Sequence, residues 1–274
     1  MRRRVYTLLR YFLSAFFKSL SGSIYILLTL VFWWLFFNPQ QETPDVDYFI
    51  IVLGAFGATA VFLITLSIAG RANQATHYPF IMRLESRVEY LTAVLLSALT
   101  ATLLLQLLVA ILALIFGGPT LALRQFVEIP PVWVAVNLLT AVLALHASDF
   151  VTNEWSRIYV FGILAIFLFG QSINNDSISV MLNSLSRTAS NQGWYEISTS
   201  LSNATNSLSN TDSSSIGQLF GFLFWPFRAL SNAIIAGSFT STQALAPAIL
   251  ILYAVILYLL AADLFANKDL AFTE

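Results

Sequence analysis

Apolar positions along the chain gather into six long runs separated by short polar breaks. The runs are roughly Leu20–Phe37, Phe49–Ala69, Leu91–Phe116, Val132–His146, Trp155–Ile173 and Ala244–Phe265. A bilayer core takes about 20 apolar residues as a helix, so each run is a candidate span. Val132–His146 is the shortest, and its ends are the least defined. A further apolar piece, Ile216–Phe227, is too short to cross and is interrupted by Pro226. Runs of that size belong to re-entrant or interfacial segments. The pattern predicts an all-α integral membrane protein of six transmembrane helices, with residues 1–274 forming a single domain.

The first 19 residues read differently. Tyr6, Leu9, Leu13 and Phe16 recur at helical spacing among basic residues. This predicts an interfacial helix over residues 1–19, serving either as a lipid-surface anchor or as a gate helix touching a partner or a lipid. The apolar run that follows is late and long and lacks an A-x-A site, so a retained first helix is expected rather than a cleaved leader.

Composition supports the membrane assignment. Hydrophobic residues make up 58% of the 274 and charged residues 10%, against about 25% charged in a soluble domain. The chain has no cysteine, which removes thiol catalysis and thiolate metal sites. It has neither a G-x-x-x-x-G-K-[ST] loop nor G-x-G-x-x-G. Any ATP chemistry therefore belongs to another chain. No G-x-S-x-G nucleophile motif occurs, and His146, Ser148 and Asp149 sit together only at a span end. No ionisable residue falls at the centre of a run, whereas an ion-coupled carrier usually keeps one there. Nothing points to nucleic acid, metal or any cofactor on this chain.

Charge distribution orients the spans. With the N-terminus in the cytoplasm, the inner side holds 10 of the 13 Lys and Arg residues, and the outer side holds Arg124, Arg187 and Arg228. By the positive-inside rule, both termini are expected to be cytoplasmic.

That topology places residues 71–90 inside. Pro79 suits the first turn of a helix. Phe80, Leu84, Val88 and Leu91 then follow as an apolar stripe. Arg83 and Arg87 are four apart, as are Glu85 and Glu89, so the like-charged pairs leave a helix here unsatisfied by itself. Opposite-signed stripes of this kind suit a docking surface, and they equally suit a helix between lipid phosphates and water.

An arginine after the second run (Arg71), a short amphipathic helix and then "LESRVEYLTAVLLSALTATLLLQLL" resemble the permease subunits of type-2 ABC exporters. The matching positions are Leu84, Ser86, Arg87, Glu89, Tyr90 and Leu91. "FWPFRALSNAIIAGSF" (Phe224–Phe239) resembles that family's re-entrant segment before the last span, here with Pro226, Phe227 and Arg228. "RANQATHYPF" stands where the family often has acidic residues and a glycine. The resemblance implies a coupling helix over residues 71–90 that rests on a separate ATP-binding ABC subunit. Its contacts would come from Arg71, Pro79, Phe80, Arg83, Leu84, Glu85, Arg87, Glu89 and Tyr90. It also implies a second permease copy or paralogue, ATP and Mg on the partner ATPase, and a multi-pass place in the cell (inner or plasma) membrane.

The region 171–243 is expected to be extracytoplasmic and re-entrant, with short amphipathic helices and with Trp194 and Tyr195 at the membrane surface. Gln106 and Asn137 are the polar residues inside runs. They are candidates for interhelical hydrogen bonds and also for a translocation path. His77 and His146 fall at one level, which leaves open an alternative: a structural or pigment- or haem-contacting subunit of a larger energy-transducing complex.

Overall fold

The computed structural model describes residues 2–38, 45–116, 118–151 and 242–267, with 225–234 and shorter pieces between 162 and 203 and at 240. Among the described residues every regular element is helical. In chain order the labelled helices are α1 (Arg2–Phe17), α2 (Leu20–Phe36), α3 (Val46–Ala72), α4 (Tyr78–Met82), α5 (Arg87–Ile115), α6 (Leu123–Ala147) and α7 (Ala246–Asn267). The chain divides into two compact units, Met1–Phe161 with Asn232–Glu274, and Gly162–Ser231.

Four helices of the first unit are long and apolar enough to cross a membrane: α3, α5, α6, and α7 with the turn before it. A fifth is added if α1 and α2 count as one bent span. At 17 residues, α2 alone sits at the short end of the usual range. The expected run Trp155–Ile173 lies, apart from Gly162, outside the described residues, as does most of Ile216–Phe227. Helix α6 begins nine residues before the expected Val132. It runs through Pro130 and Pro131 and starts with the Gln125 side chain accepting from the Ala122 backbone N–H.

Burial explains how the bundle is arranged. From Ala141 to Ala147, α6 is buried all round, as a helix apolar on nearly every side should be; it packs against both α3 and α7. Helix α5 turns a ladder of small residues inward, including Ala93, Ser97, Ala98, Ala101 and Thr102. Small side chains let helix backbones approach closely. One end of the bundle closes over an apolar cluster of Phe37, Phe49, Ile50, Leu53, Val109, Ala113 and Ile129. Helix α2 is peripheral: Leu20, Leu27, Leu28, Trp34 and Leu35 are all exposed.

Two expectations are corrected. Residues 71–90 do not form one amphipathic helix. Helix α3 continues to Ala72, a short turn covers Ala75–His77, α4 lasts five residues, and α5 begins at Arg87. Ser86 causes the break, because its hydroxyl accepts from the Val88 N–H and caps α5, a favoured N-cap role for serine. The stripe Phe80–Leu84–Val88–Leu91 is therefore split between elements. The second correction concerns α1. Its buried residues are Leu8, Phe12 and Phe16, whereas Tyr6 is 65% exposed. The helix packs along α5, so its apolar side serves a protein contact as well as any lipid.

In the second unit, residues 186–191 are helical and end at Gly193. The Trp194 N–H reaches the Ala189 carbonyl there at 2.9 Å. Gly193 has φ of 79°, the left-handed position that favours glycine. Trp194 and Tyr195 are exposed.

Candidate functional site

The end of the bundle that holds α1 carries an interlocked set of polar and aromatic side chains. Its frame is the join between α1 and α2, bent by 71°. The Ser19 hydroxyl donates to the Phe16 carbonyl at 2.6 Å and accepts from the Gly22 N–H at 3.2 Å. A Cβ on Gly22 would collide with the Phe16 carbonyl oxygen, so the bend requires glycine there. Arg71, in the last turn of α3, holds the join from the other side. Its guanidinium donates to the Ser21 hydroxyl at 2.9 Å and to the Ala15 carbonyl at 3.4 Å. A cation at the carbonyl end of α1 also suits the helix dipole.

From this frame the link between α3 and α5 projects. Tyr90 is fully buried, and its hydroxyl donates to the Ala72 carbonyl at 2.9 Å. This ties the first turn of α5 to the last of α3. Phe12 of α1 packs edge-on against Tyr90 and stacks with His77. Tyr11 and Phe80 complete the ring cluster around that histidine. Partial burial pushes the His77 pKa below its usual value, because charge is costly away from water.

Arg4 of α1 pairs with Glu85 at 2.5 Å and lies 4.0 Å from Glu89. The neighbouring guanidinium holds the Glu85 carboxyl below the usual carboxylate range. Glu85 is thus answered from α1 and not within a helix of its own, while the buried Glu89 Oε2 makes no hydrogen bond among the described residues. Glu89 and Tyr90 are buried and face the protein. Arg87 is half-buried and donates to the Ala266 carbonyl of α7 at 3.4 Å, while Leu84 is half-buried. What remains outward is a knob: Pro79, Phe80, Met82 and Arg83 are exposed, with Phe80 at 41% and Met82 at 62%.

Gln106 and Asn137 lie deep between α3, α5 and α6, at 2% and 1% exposure. The Asn137 amide donates to Gln106 Oε1 at 2.7 Å, and Gln106 Nε2 donates to the Leu53 carbonyl at 2.9 Å. Gly57 makes room for them, since a Cβ there would lie 2.5 Å from Gln106 Nε2 and 2.7 Å from Asn137 Oδ1. Here the pair is an interhelical bond within the bundle.

Pro226, Phe227 and Arg228 lie near the start of a helix over 225–234, where proline is tolerated in the first turn. His146 is buried, and its Nε2 meets the Leu257 carbonyl at 2.9 Å, so that nitrogen is engaged. Both ring nitrogens of His77 lie near hydroxyls, of Tyr11 and Thr76. Among the described residues, no group of three His, Cys, Asp or Glu could hold a metal ion.

Sequence reasoning missed Arg4 as the partner of Glu85, Met82 in the knob, and Gly57. The order Ser86-Arg87-Val88-Glu89 is a helix-start signature and would have located the break. No family model, curated protein or solved structure matches the chain.

Proposed function

We propose that the chain is the membrane-spanning permease subunit of a type-2 ABC exporter. The knob of Pro79, Phe80, Met82 and Arg83 docks on a separate ATP-binding subunit. The carrying observation is that two large apolar side chains and a cation stand exposed on a short link whose flanks are bonded into the bundle. Tyr90 joins the link to α3, Arg87 joins it to α7, and Arg4 of α1 grips Glu85. A push on the knob is thereby passed to several helices. An exposed apolar group rimmed by polar residues suits a protein partner.

In this reading both termini are cytoplasmic, six spans cross the inner or plasma membrane, and a second copy or paralogue completes the path. The chain does no chemistry. ATP and Mg bind the partner, whose closure shifts the permease between inward- and outward-facing states. The resemblance around Leu84–Leu91 and the basic character of the α1 end support the assignment.

The test is co-purification of the tagged chain from its native membrane in mild detergent, with mass spectrometry of its companions. The wild type is expected to bring an ABC ATPase, and Phe80→Asp/Arg83→Glu is expected to lose it. Recovery of redox or pigment-binding subunits without an ATPase would overturn the proposal.

A further inference from the structure

The outward side of α1 differs in kind from its inward side. Arg3, Thr7, Arg10, Tyr11 and Ser14 are all exposed on one stripe of the helix, and exposed Lys18 continues it in the turn that follows. The stripe has three cations, and α1 contains no acid. Arg4, on the neighbouring face, is paired with Glu85. Arg3, Arg10 and Lys18 make no ion pair among the described residues.

At the middle of the stripe is a shallow concavity of about 390 Å³, lined by Thr7, Arg10, Tyr11, Ser14 and Ala15. It offers one guanidinium and three hydroxyls. The Thr7 hydroxyl donates to the Arg3 carbonyl and the Tyr11 hydroxyl lies 3.4 Å from His77 Nε2, so the Arg10 guanidinium and the Ser14 hydroxyl are the donors that face the concavity most directly. Guanidinium and hydroxyl donors together are the chemistry that holds phosphate oxygens.

We propose that this face of α1 binds the phosphate headgroup of an anionic phospholipid. The position of the stripe favours a lipid over a soluble phosphate. Two residues after Lys18 comes Leu20, 79% exposed, and then Ile24, Leu27 and Leu28 on the open side of α2. A ligand with a phosphate and acyl chains can use both surfaces across the 71° bend. Exposed Tyr6 and Tyr11 are of the type enriched at the membrane–water boundary. The inference rests on the bundle lying in a membrane and is independent of the exporter assignment.

The experiment is native mass spectrometry of the full chain in detergent, titrated with dioleoyl phosphatidylglycerol, with dioleoyl phosphatidylcholine, and with glycerol phosphate as competitor. The wild type is expected to retain phosphatidylglycerol in preference to phosphatidylcholine. Each cation beside an anionic surface contributes roughly fivefold, so Arg3→Gln/Arg10→Gln/Lys18→Gln should weaken retention on the order of a hundredfold. Arg124→Gln, a cation lost elsewhere, should leave retention unchanged.

Equal retention of both lipids, or an unaffected triple variant, would overturn the proposal. So would competition by glycerol phosphate as effective as by the lipid, since the source would then be soluble. Loss of a co-purifying protein with unchanged lipid binding would assign the face to that protein instead. If the triple variant does not fold, Arg10→Lys and Thr7→Ala/Ser14→Ala decide. Both should weaken phosphatidylglycerol retention severalfold, and wild-type behaviour in both contradicts the site.

Discussion

The neutral amide pair between α5 and α6 and the ion pair between α1 and the link have opposite surroundings. Gln106 and Asn137 are sealed from solvent and bonded in series to the Leu53 carbonyl. Arg4 and Glu85 are at 43% and 73% side-chain exposure, on short or terminal elements. In the first case an unmade bond has no water to turn to, so the pair fixes how three helices meet. In the second, water competes and the pair contributes little by itself. The α3–α5–α6 core is therefore locked, while the α1 end is held by contacts that can yield.

The largest predicted effect comes from the lock. Gly57→Val should lower stability by about 1–3 kcal/mol, the usual cost of overpacking. The Gln106 amide can make way only by giving up Leu53 or Asn137. Thermal unfolding in detergent measures this, and a wild-type melting temperature would show that the core is not locked here. Gln106→Leu should cost about 1 kcal/mol, and Gln106→Leu/Asn137→Leu less, because a lone unpaired amide is worse than none.

Next is the join between α1 and α2. Arg71→Ala removes two hydrogen bonds and should cost about 1–2 kcal/mol. Amide exchange should rise in α1 and the first turn of α2 and stay unchanged in α6. Uniform change across the chain would deny Arg71 its local role.

A smaller effect is set by pH. Glu85 has a depressed folded-state pKa, so its contribution is full above the unfolded carboxyl value of about 4.3 and is lost as pH falls through the lower folded value. His77 is also depressed. Its unfolded form takes up a proton first, so stability declines as pH drops below about 6.5. Both act in the same direction. Protection of α1 amides should therefore fall in two steps on acidification. His77→Phe removes the upper step and Arg4→Gln the lower. A single step in the wild type at carboxylate pH would exclude His77.

The smallest effect on stability is expected in the knob. Met82→Asp should stay within about 0.5 kcal/mol of wild type, as exposed substitutions do, whereas Phe80→Asp should cost more because it also gives up ring contacts with Tyr11 and His77. A large loss from Met82→Asp would mean that this side chain serves the fold.

What the sequence made legible follows from these contrasts. Long apolar runs placed α3, α5 and α7 within a few residues, because a bilayer-length helix has one strong signal. The polar pair of Gln106 and Asn137 stood out for the same reason, amid runs with little else to bond. The link was misread because the spacing of Phe80, Leu84, Val88 and Leu91 is helical while Ser86 caps a new helix between them. A local backbone bond overrode the period. The inward face of α1 was off by one position, since Leu8 and Phe12 are as apolar as Leu9 and Leu13 and only the partner α5 chooses between them. Arg4 lies 81 positions from Glu85, beyond any local pattern.

We propose that the knob meets an ATPase. The most direct measurement places a photo-crosslinking residue at position 82, and separately at 107, where Leu107 is 56% exposed on the side of α5. Irradiation in the native membrane is followed by identification of the adduct. The account predicts an ABC ATPase joined at position 82 and lipid or another membrane chain at position 107. An ATPase absent from position 82, with some other protein or only lipid captured there, would contradict it.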